Sequence, residues 1–162
     1  MTLRDIRIDE EIWGSAPEAR RLEWRAAIRG LLQAADEGMR AEGDRLWLSL
    51  SEQAVLLELR DAQGSTRIAL SLPHDLLARL IQEYVDIVRQ MGHDDGFGGV
   101  RRLATLDLAK RATHDQAGRV LVRACRPLGL EHEAARRLFT LLLGLRVDTS
   151  RLGGVGWHQR GS

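Results

Sequence analysis

The stretch that most restricts the fold of this chain runs from Arg45 to Leu72, where three alternating apolar segments are separated by very short connectors. In Arg45–Leu50, Leu46, Leu48 and Leu50 fall on one side, with Trp47 and Ser49 on the other. Val55–Arg60 and Thr66–Leu72 continue the alternation, the latter with Ile68, Leu70 and Leu72 in phase. A period of two sends successive side chains to opposite faces of a sheet, so each segment reads as a strand with one buried face. Residues 51–54 and 61–65 leave room only for hairpins, and Gly64 suits a tight turn. These strands form an antiparallel meander, and the rest of the chain must cover its leucine face.

That cover lies on both sides in sequence. Leu3, Ile6 and Ile8 alternate and predict a short first strand. Pro17 stands where helices begin, with Ser15 as a candidate N-cap, and the apolar spacing from Leu22 to Met39 predicts a helix over 17–39. After the meander, Pro73, His74 and Asp75 open a helix to about Met91. Gly92–Gly99 is a glycine-rich loop. Two helices follow over about 100–113 and 115–126, then a break at Pro127–Leu130. A last helix covers about 131–147, with Ala134, Leu138, Leu141, Leu142 and Leu145 on its apolar face. The expected class is α+β: a short antiparallel sheet (strand, helix, three-strand meander) followed by four helices packed on it. Residues 1–147 read as one domain, and residues 148–162, with four glycines and no periodicity, as a flexible tail.

Composition agrees with a folded domain. At 162 residues, 44% hydrophobic and 29% charged, the chain is long enough to bury about 70% of its unfolded surface. Aromatics are 4%, so the core must be mainly aliphatic. Cys125 is the only cysteine; it cannot form an intrachain disulfide and reads as a reduced, buried thiol. The N-terminus is charged from Arg4 and does not resemble a signal peptide. The longest apolar run, Leu138–Leu145, falls far short of the roughly 20 residues of a membrane span. The expectation is a cytoplasmic protein with no membrane partner.

Arginine supplies 23 of the 24 basic residues, and Lys110 is the only lysine. Residues 1–99 carry 12 basic and 18 acidic groups, whereas residues 100–137 carry 9 and 4. The later segment is thus a positive patch on a nearly neutral chain, able to attract an anionic partner or the acidic half of the same molecule. A near-neutral whole and an acidic N-terminal half argue against nucleic acid as the partner.

Within that segment, Asp107, Arg111 and His114 stand at i, i+4 and i+7, on one stripe of a helix. Val100, Leu103 and Ala104 share that side and would partly desolvate it. Such a stripe can bind phosphate or carboxylate and poise the histidine as an acid or base. It can equally be an intrahelical salt bridge beside a histidine that caps the helix end. Arg136 and Arg137, away from the leucines of the last helix, are either a solvated face or a contact for an anion or partner, shared with Arg111.

Other clusters are weaker. His93, Asp94 and Asp95 are too tightly spaced to converge on one metal and read as a helix end and turn. Gly96, Gly98 and Gly99 follow a helix, not a strand, and no lysine or serine comes after them, unlike a phosphate loop. Glu131, His132 and Glu133 open the last helix, where acids suit its dipole. Trp24 and Trp47 read as packing residues, while Trp157 lies in the tail. No Ser-His-Asp order, HExxH, CxxC, Walker loop or dinucleotide fingerprint occurs, and neither a cofactor nor a metal is expected.

Three runs of residues resemble the bacterial Uncharacterised Protein Family number 0262. Residues 135–141 (ARRLFTL) resemble its closing helix motif. Residues 106–114 (LDLAKRATH) resemble its mid-chain motif, with Asp107, Arg111 and His114 in matching places. Ser71-Leu72 and Ile81-Gln82-Glu83-Tyr84 resemble its earlier helix start. The match extends over about 3–147. Asp115-Gln116 departs from the family's Asn-Glu, and the 92–99 loop and the tail have no family equivalent, as in a divergent member. The resemblance implies a fold and a cytoplasmic setting but passes on no activity. It also coincides with the stripe, so Asp107, Arg111, His114, Arg136 and Arg137 are the candidate site. The preferred expectation is a non-enzymatic adaptor or regulatory module that binds another protein through this basic helical surface. The alternative is a protein or enzyme that binds a small anion, with nucleic-acid binding by the C-terminal helices as a second alternative.

Overall fold

The computed structural model describes residues 3–39, 44–93 and 99–147. Its alternating leucines pair as their spacing predicts. Strands β2 (Arg45–Leu50), β3 (Ala54–Arg60) and β4 (Thr66–Pro73) form an antiparallel meander. Leu46 faces Leu59, Leu48 faces Leu57, and Leu57 faces Leu70. Directly paired residues point the same way, so the leucines unite on one face of the sheet. Turn chemistry fixes this register: Asp61 Oδ1 accepts from the Gln63 and Ser65 amides at 2.9 and 3.0 Å. Gly64 takes a φ of +84°, a conformation that an L side chain resists.

The first strand, β1 (Asp5–Ile8), joins at β2, with Ile6 opposite Leu46 and Ile8 opposite Leu48. It runs parallel to β2, so the sheet is mixed and not wholly antiparallel. The reason is the length of the crossover: α1 (Glu10–Ser15) and α2 (Glu18–Gly38) lie between the two strands. A helix the length of α2 spans about 30 Å, enough to return the chain to the end of the sheet where it began. Ser15 belongs to α1, where its hydroxyl donates to the Ile12 carbonyl at 3.2 Å, and does not cap α2. Helix α1 itself was not expected from the apolar spacing.

After the sheet come α3 (His74–His93), α4 (Gly99–Ala124), a 3-10 turn at Arg126–Leu128 and α5 (His132–Arg146). The class is α+β. The helices expected over 100–113 and 115–126 are one helix of 26 residues, so three helices, not four, follow the sheet. Neither Gly nor Pro interrupts 113–115. The Thr113 hydroxyl and His114 Nδ1 meet the carbonyls of Ala109 and Lys110, one turn back, at 3.0 and 3.2 Å. Polar side chains that can end a helix are here satisfied within it.

The centre of the molecule is α5, which packs between α2 and α4. Nine of its residues are buried, including Leu138, Phe139, Leu141 and Leu142. A helix apolar on more than one side must be enclosed. One core joins it to Ile6, Leu46, Leu57 and Leu59 of the sheet and to Trp24 and Leu121 of its flanking helices. Its C-terminal carbonyls, which lack intrahelical partners, are held by α2. Trp24 Nε1 donates to the Gly144 carbonyl at 2.8 Å, and Arg20 donates to Gly144 and Leu145 at 3.0 and 3.1 Å. Cys125 is fully buried, and burial pushes its thiol up to about 12, so it stays protonated. Trp47 lies on the opposite, outer face of the sheet beneath Arg60, 4.3 Å from the guanidinium carbon. Among the described residues no helix is long and apolar enough to cross a membrane. Most of the 92–99 loop and the whole 148–162 tail lie outside the described residues, as do Asp94, Asp95 and Trp157.

Candidate functional site

Close approach of α4 and α5 creates the most chemically loaded surface of the molecule. Gly118 allows it: a Cβ there would fall 2.9 Å from both Arg136 Cγ and His132 Cε1. One turn away on α4 lies His114, and the two helices then open into a cavity of about 290 Å³. It is lined by Asp107, Lys110, Arg111 and His114 from α4 and by Glu133, Arg136, Arg137 and Thr140 from α5. All five residues singled out in the sequence therefore line one cavity.

Their environments differ. Arg111 and Asp107 pair at 2.9 Å but are 67% and 44% exposed, so this part of the stripe is solvated. Leu103 and Ala104 are also exposed and do not desolvate it. His114 is half-buried, and it stands within α4 and not at a helix end. Its ring meets Tyr84 and Phe139 edge-on, with centroids 5.2 and 5.3 Å apart. A carbonyl can only accept, so the contact to Lys110 places the ring proton on Nδ1. Nε2 then presents a lone pair, 3.2 Å from Thr140 Oγ1. Burial lowers the pKa of His114 from 6.5. The Lys110 carbonyl opposes that shift, the charges of Arg136 and Lys110 reinforce it, and Asp115 opposes it again. The imidazole is neutral at pH 7. Thr140 Oγ1 also lies 3.3 Å from the Arg136 carbonyl, so its single proton can serve only one of these two acceptors.

The arginines of α5 are already engaged. Glu133 holds Arg136 at 3.2 Å and Arg137 at 2.9 Å. Arg136 Nε lies 3.1 Å from Asp115 Oδ1, an ion-pair distance without hydrogen-bond alignment, so this buried N–H has no directional partner. Arg137 reaches α2, where a Cβ on Gly30 would come within 3.3 Å of its guanidinium. Lys110 is different. Its Nζ sits 5.8 Å from the Tyr84 ring centroid, and it pairs with no carboxylate among the described residues.

Lys110 and Thr140 also line a second cavity, of about 260 Å³, with Glu23, Trp24 and Ala27 of α2, Tyr84 and Val88 of α3, and Leu143 and Gly144 of α5. The two cavities share that pair of residues in their linings. Sequence reasoning passed over Lys110, Thr140 and Glu133. The solitary lysine was the available signal for the first. Thr140, a polar residue one turn after Arg136 on an otherwise apolar helix, signalled the second. Glu133 was assigned to the helix dipole, but its carboxylate also fixes both arginines.

A larger cavity lies elsewhere among the described residues. A groove of about 600 Å³ follows the free edge of β1, lined by Asp5, Ile6, Arg7 and Ile8, by Trp13 of α1, by Arg25, Ile28 and Arg29 of α2, and by Trp47. Its strand edge is satisfied from within: Asp5 accepts from the Ile6 amide at 2.8 Å and from Arg7 Nε at 2.7 Å. Arg25 pairs with Glu18 at 3.1 Å and stacks on Trp13. Self-satisfied charges are how sheets blunt an edge against further pairing. The groove offers no buried titratable group, whereas the helical cleft offers a neutral histidine and a cation with no carboxylate partner among the described residues. Among the described residues no set of three or more His, Cys, Asp or Glu side chains is placed to hold a metal ion.

Comparison with known proteins gives this geometry a family setting. The model of an Uncharacterised protein family (UPF0262) matches residues 1–148. A UPF0262 protein of Rhodospirillum rubrum is 29% identical over 155 residues, covering 90% of this chain and 92% of the relative. One from Mesorhizobium japonicum is 27% identical over 147 residues, covering 86% and 89%, and one from Hyphomonas neptunium 27% over 156, covering 93% and 95%. No solved structure matches the chain.

Proposed function

The chain belongs to the uncharacterised bacterial family UPF0262, and we propose that it is a small-anion-binding protein whose site is the cleft between α4 and α5. The observation that carries this reading is the gathering of Lys110, Arg111, Arg136 and Arg137 around the half-buried, neutral His114 in one cavity. Cations fixed by neighbouring carboxylates are preorganised, so they bind a carboxylate or phosphate at little further ordering cost. A ligand that must also lose a proton during turnover would meet the His114 Nε2 lone pair.

Thermal unfolding in the presence of inorganic phosphate and of acetate, at constant ionic strength, tests the reading. An anion at 100 times its dissociation constant adds about 2.7 kcal/mol to stability and raises Tm accordingly. The rise should be smaller in Arg111→Ala. If no anion shifts the wild type more than this variant, the reading fails.

A protein-interaction surface is a second reading, supported by Leu103 and Leu108 of α4, which are 39% and 63% exposed beside the same charges. Substituting Leu108→Asp would then abolish partner capture and leave anion binding intact. Either role fits a cytoplasmic setting, the one in which a lone buried thiol such as Cys125 stays reduced.

A further inference from the structure

Building on the anion-binding reading, we propose that the ligand is an organic monocarboxylate with an apolar body, its head at Lys110 and its body in the cavity walled by Trp24, Ala27, Tyr84 and Val88.

Size is the first argument. The charged cavity, about 290 Å³, and the apolar one, about 260 Å³, each fall short of the roughly 300 Å³ at which small-molecule sites begin. Both are lined by Lys110 and Thr140, so a ligand with its head at that pair can set its body in the apolar cavity. Such a ligand must suit two chemistries at once: an apolar wall from α2, α3 and α5 at one end and fixed charges at the other.

Charge sets the head group. Around the polar cavity stand four cations, Lys110, Arg111, Arg136 and Arg137, and three carboxylates, Asp107, Asp115 and Glu133. Each arginine already has a carboxylate partner within 3.2 Å. Lys110 has none among the described residues, so of the charges around the polar cavity one cation is left without an ion-pair partner, at a residue that both cavities share. One negative charge neutralises it. A dianion would leave an excess charge next to Asp107 and Glu133. The Thr140 hydroxyl, also shared by both linings, can turn its proton from the Arg136 carbonyl to a carboxylate oxygen. Glu23 lines the apolar cavity near Tyr84 and disfavours a second acidic group there.

Isothermal titration of the full chain with acetate, octanoate and octylamine tests the proposal. Each methylene that leaves water tightens binding about fourfold. Octanoate should therefore bind at least about tenfold more tightly than acetate, the gain from burying about two methylenes. Octylamine, with the same body and the opposite charge, should not bind. Lys110→Gln should weaken octanoate and acetate alike. Ala27→Leu, which fills the apolar cavity, should remove the advantage of octanoate and leave acetate unchanged. Equal binding of acetate and octanoate would overturn the proposal while leaving the anion-binding reading in place. So would equal binding of octanoate and octylamine, with phosphate still shifting Tm. If neither acetate, octanoate nor phosphate binds, the anion-binding reading falls with it.

Discussion

The cleft between α4 and α5 and the groove along β1 are both concave, both lined by arginine and aromatic residues, and differ in what their charges are for. In the groove, Arg7 turns back to Asp5 and Arg25 to Glu18, so charge is spent on closing a strand edge and a helix start. In the cleft, carboxylates hold arginines in place around a neutral histidine and a lysine with no carboxylate partner among the described residues. The larger cavity is therefore the less informative one. Volume reports where elements fail to meet; an unbalanced charge beside a desolvated base reports what the space can bind.

Substitutions at the two floors should separate the regions most. Phe139, fully buried under His114, belongs to the common core, and Phe139→Ala should cost about 3–5 kcal/mol in urea unfolding. Trp47 is only half-buried against the groove and Arg60, so Trp47→Ala should cost well under half as much. Equal losses would mean that the groove is as much a part of the core as the cleft.

Glycines give the next largest contrast. A methyl at Gly118 would sit 2.9 Å from Arg136 Cγ and His132 Cε1, so Gly118→Ala should destabilise by about 1–3 kcal/mol despite better helix propensity, and should weaken anion binding. At Gly14, beside the groove, nothing lies within 4 Å, and Gly14→Ala should stabilise by about 0.5–1 kcal/mol. Thermal unfolding of both variants, with and without phosphate, checks signs as well as sizes.

A smaller effect comes from pH. The folded protein holds the pKa of His114 below 6.5, so in the unfolded chain this ring takes up a proton that the folded chain refuses. Stability should fall as pH drops below about 6.5 and level off once the folded ring is protonated too. His114→Gln should lose this part of the pH dependence. No histidine lines the β1 groove, so substitutions there should not alter it. A bound anion favours the protonated ring, and affinity should rise over the same fall in pH.

The smallest effect is expected at the exposed Asp107–Arg111 pair. Asp107→Asn should change stability by less than about 1 kcal/mol, since solvent screens such pairs. It should nevertheless strengthen anion binding by removing a negative charge from the lining of the cleft, which titration would detect. A large loss of stability would show the pair to be structural.

Much of this was legible in the sequence where periodicity carried it. The leucines of β2 and β4 and the apolar face of α5 were placed within a residue or two, because burial itself produces the pattern. Parallel pairing of β1 was not legible, since a strand's direction in a sheet depends on how far α1 and α2 carry the chain, not on Ile6 and Ile8. Nor was the continuity of α4 through His114, which depends on Thr113 and His114 bonding backward and on packing against α5. The stripe of Asp107, Arg111 and His114 was found by spacing, but Thr140, the partner of His114, lies across an interhelical contact that no local pattern encodes. Lys110 was visible as the sole lysine, and only its place in the linings of two cavities gives that fact meaning.

The tryptophans allow the cleft and the groove to be read in one spectrum, with Trp24 Nε1 beside the apolar cavity and Trp13 and Trp47 lining the groove. In ¹⁵N-labelled protein titrated with octanoate, the Trp24 indole and the His114 ring resonances should move together and saturate, while the Trp13 and Trp47 indoles stay in place. Movement of Trp13 and Trp47 with Trp24 and His114 unchanged would put the ligand at the sheet edge and contradict the account.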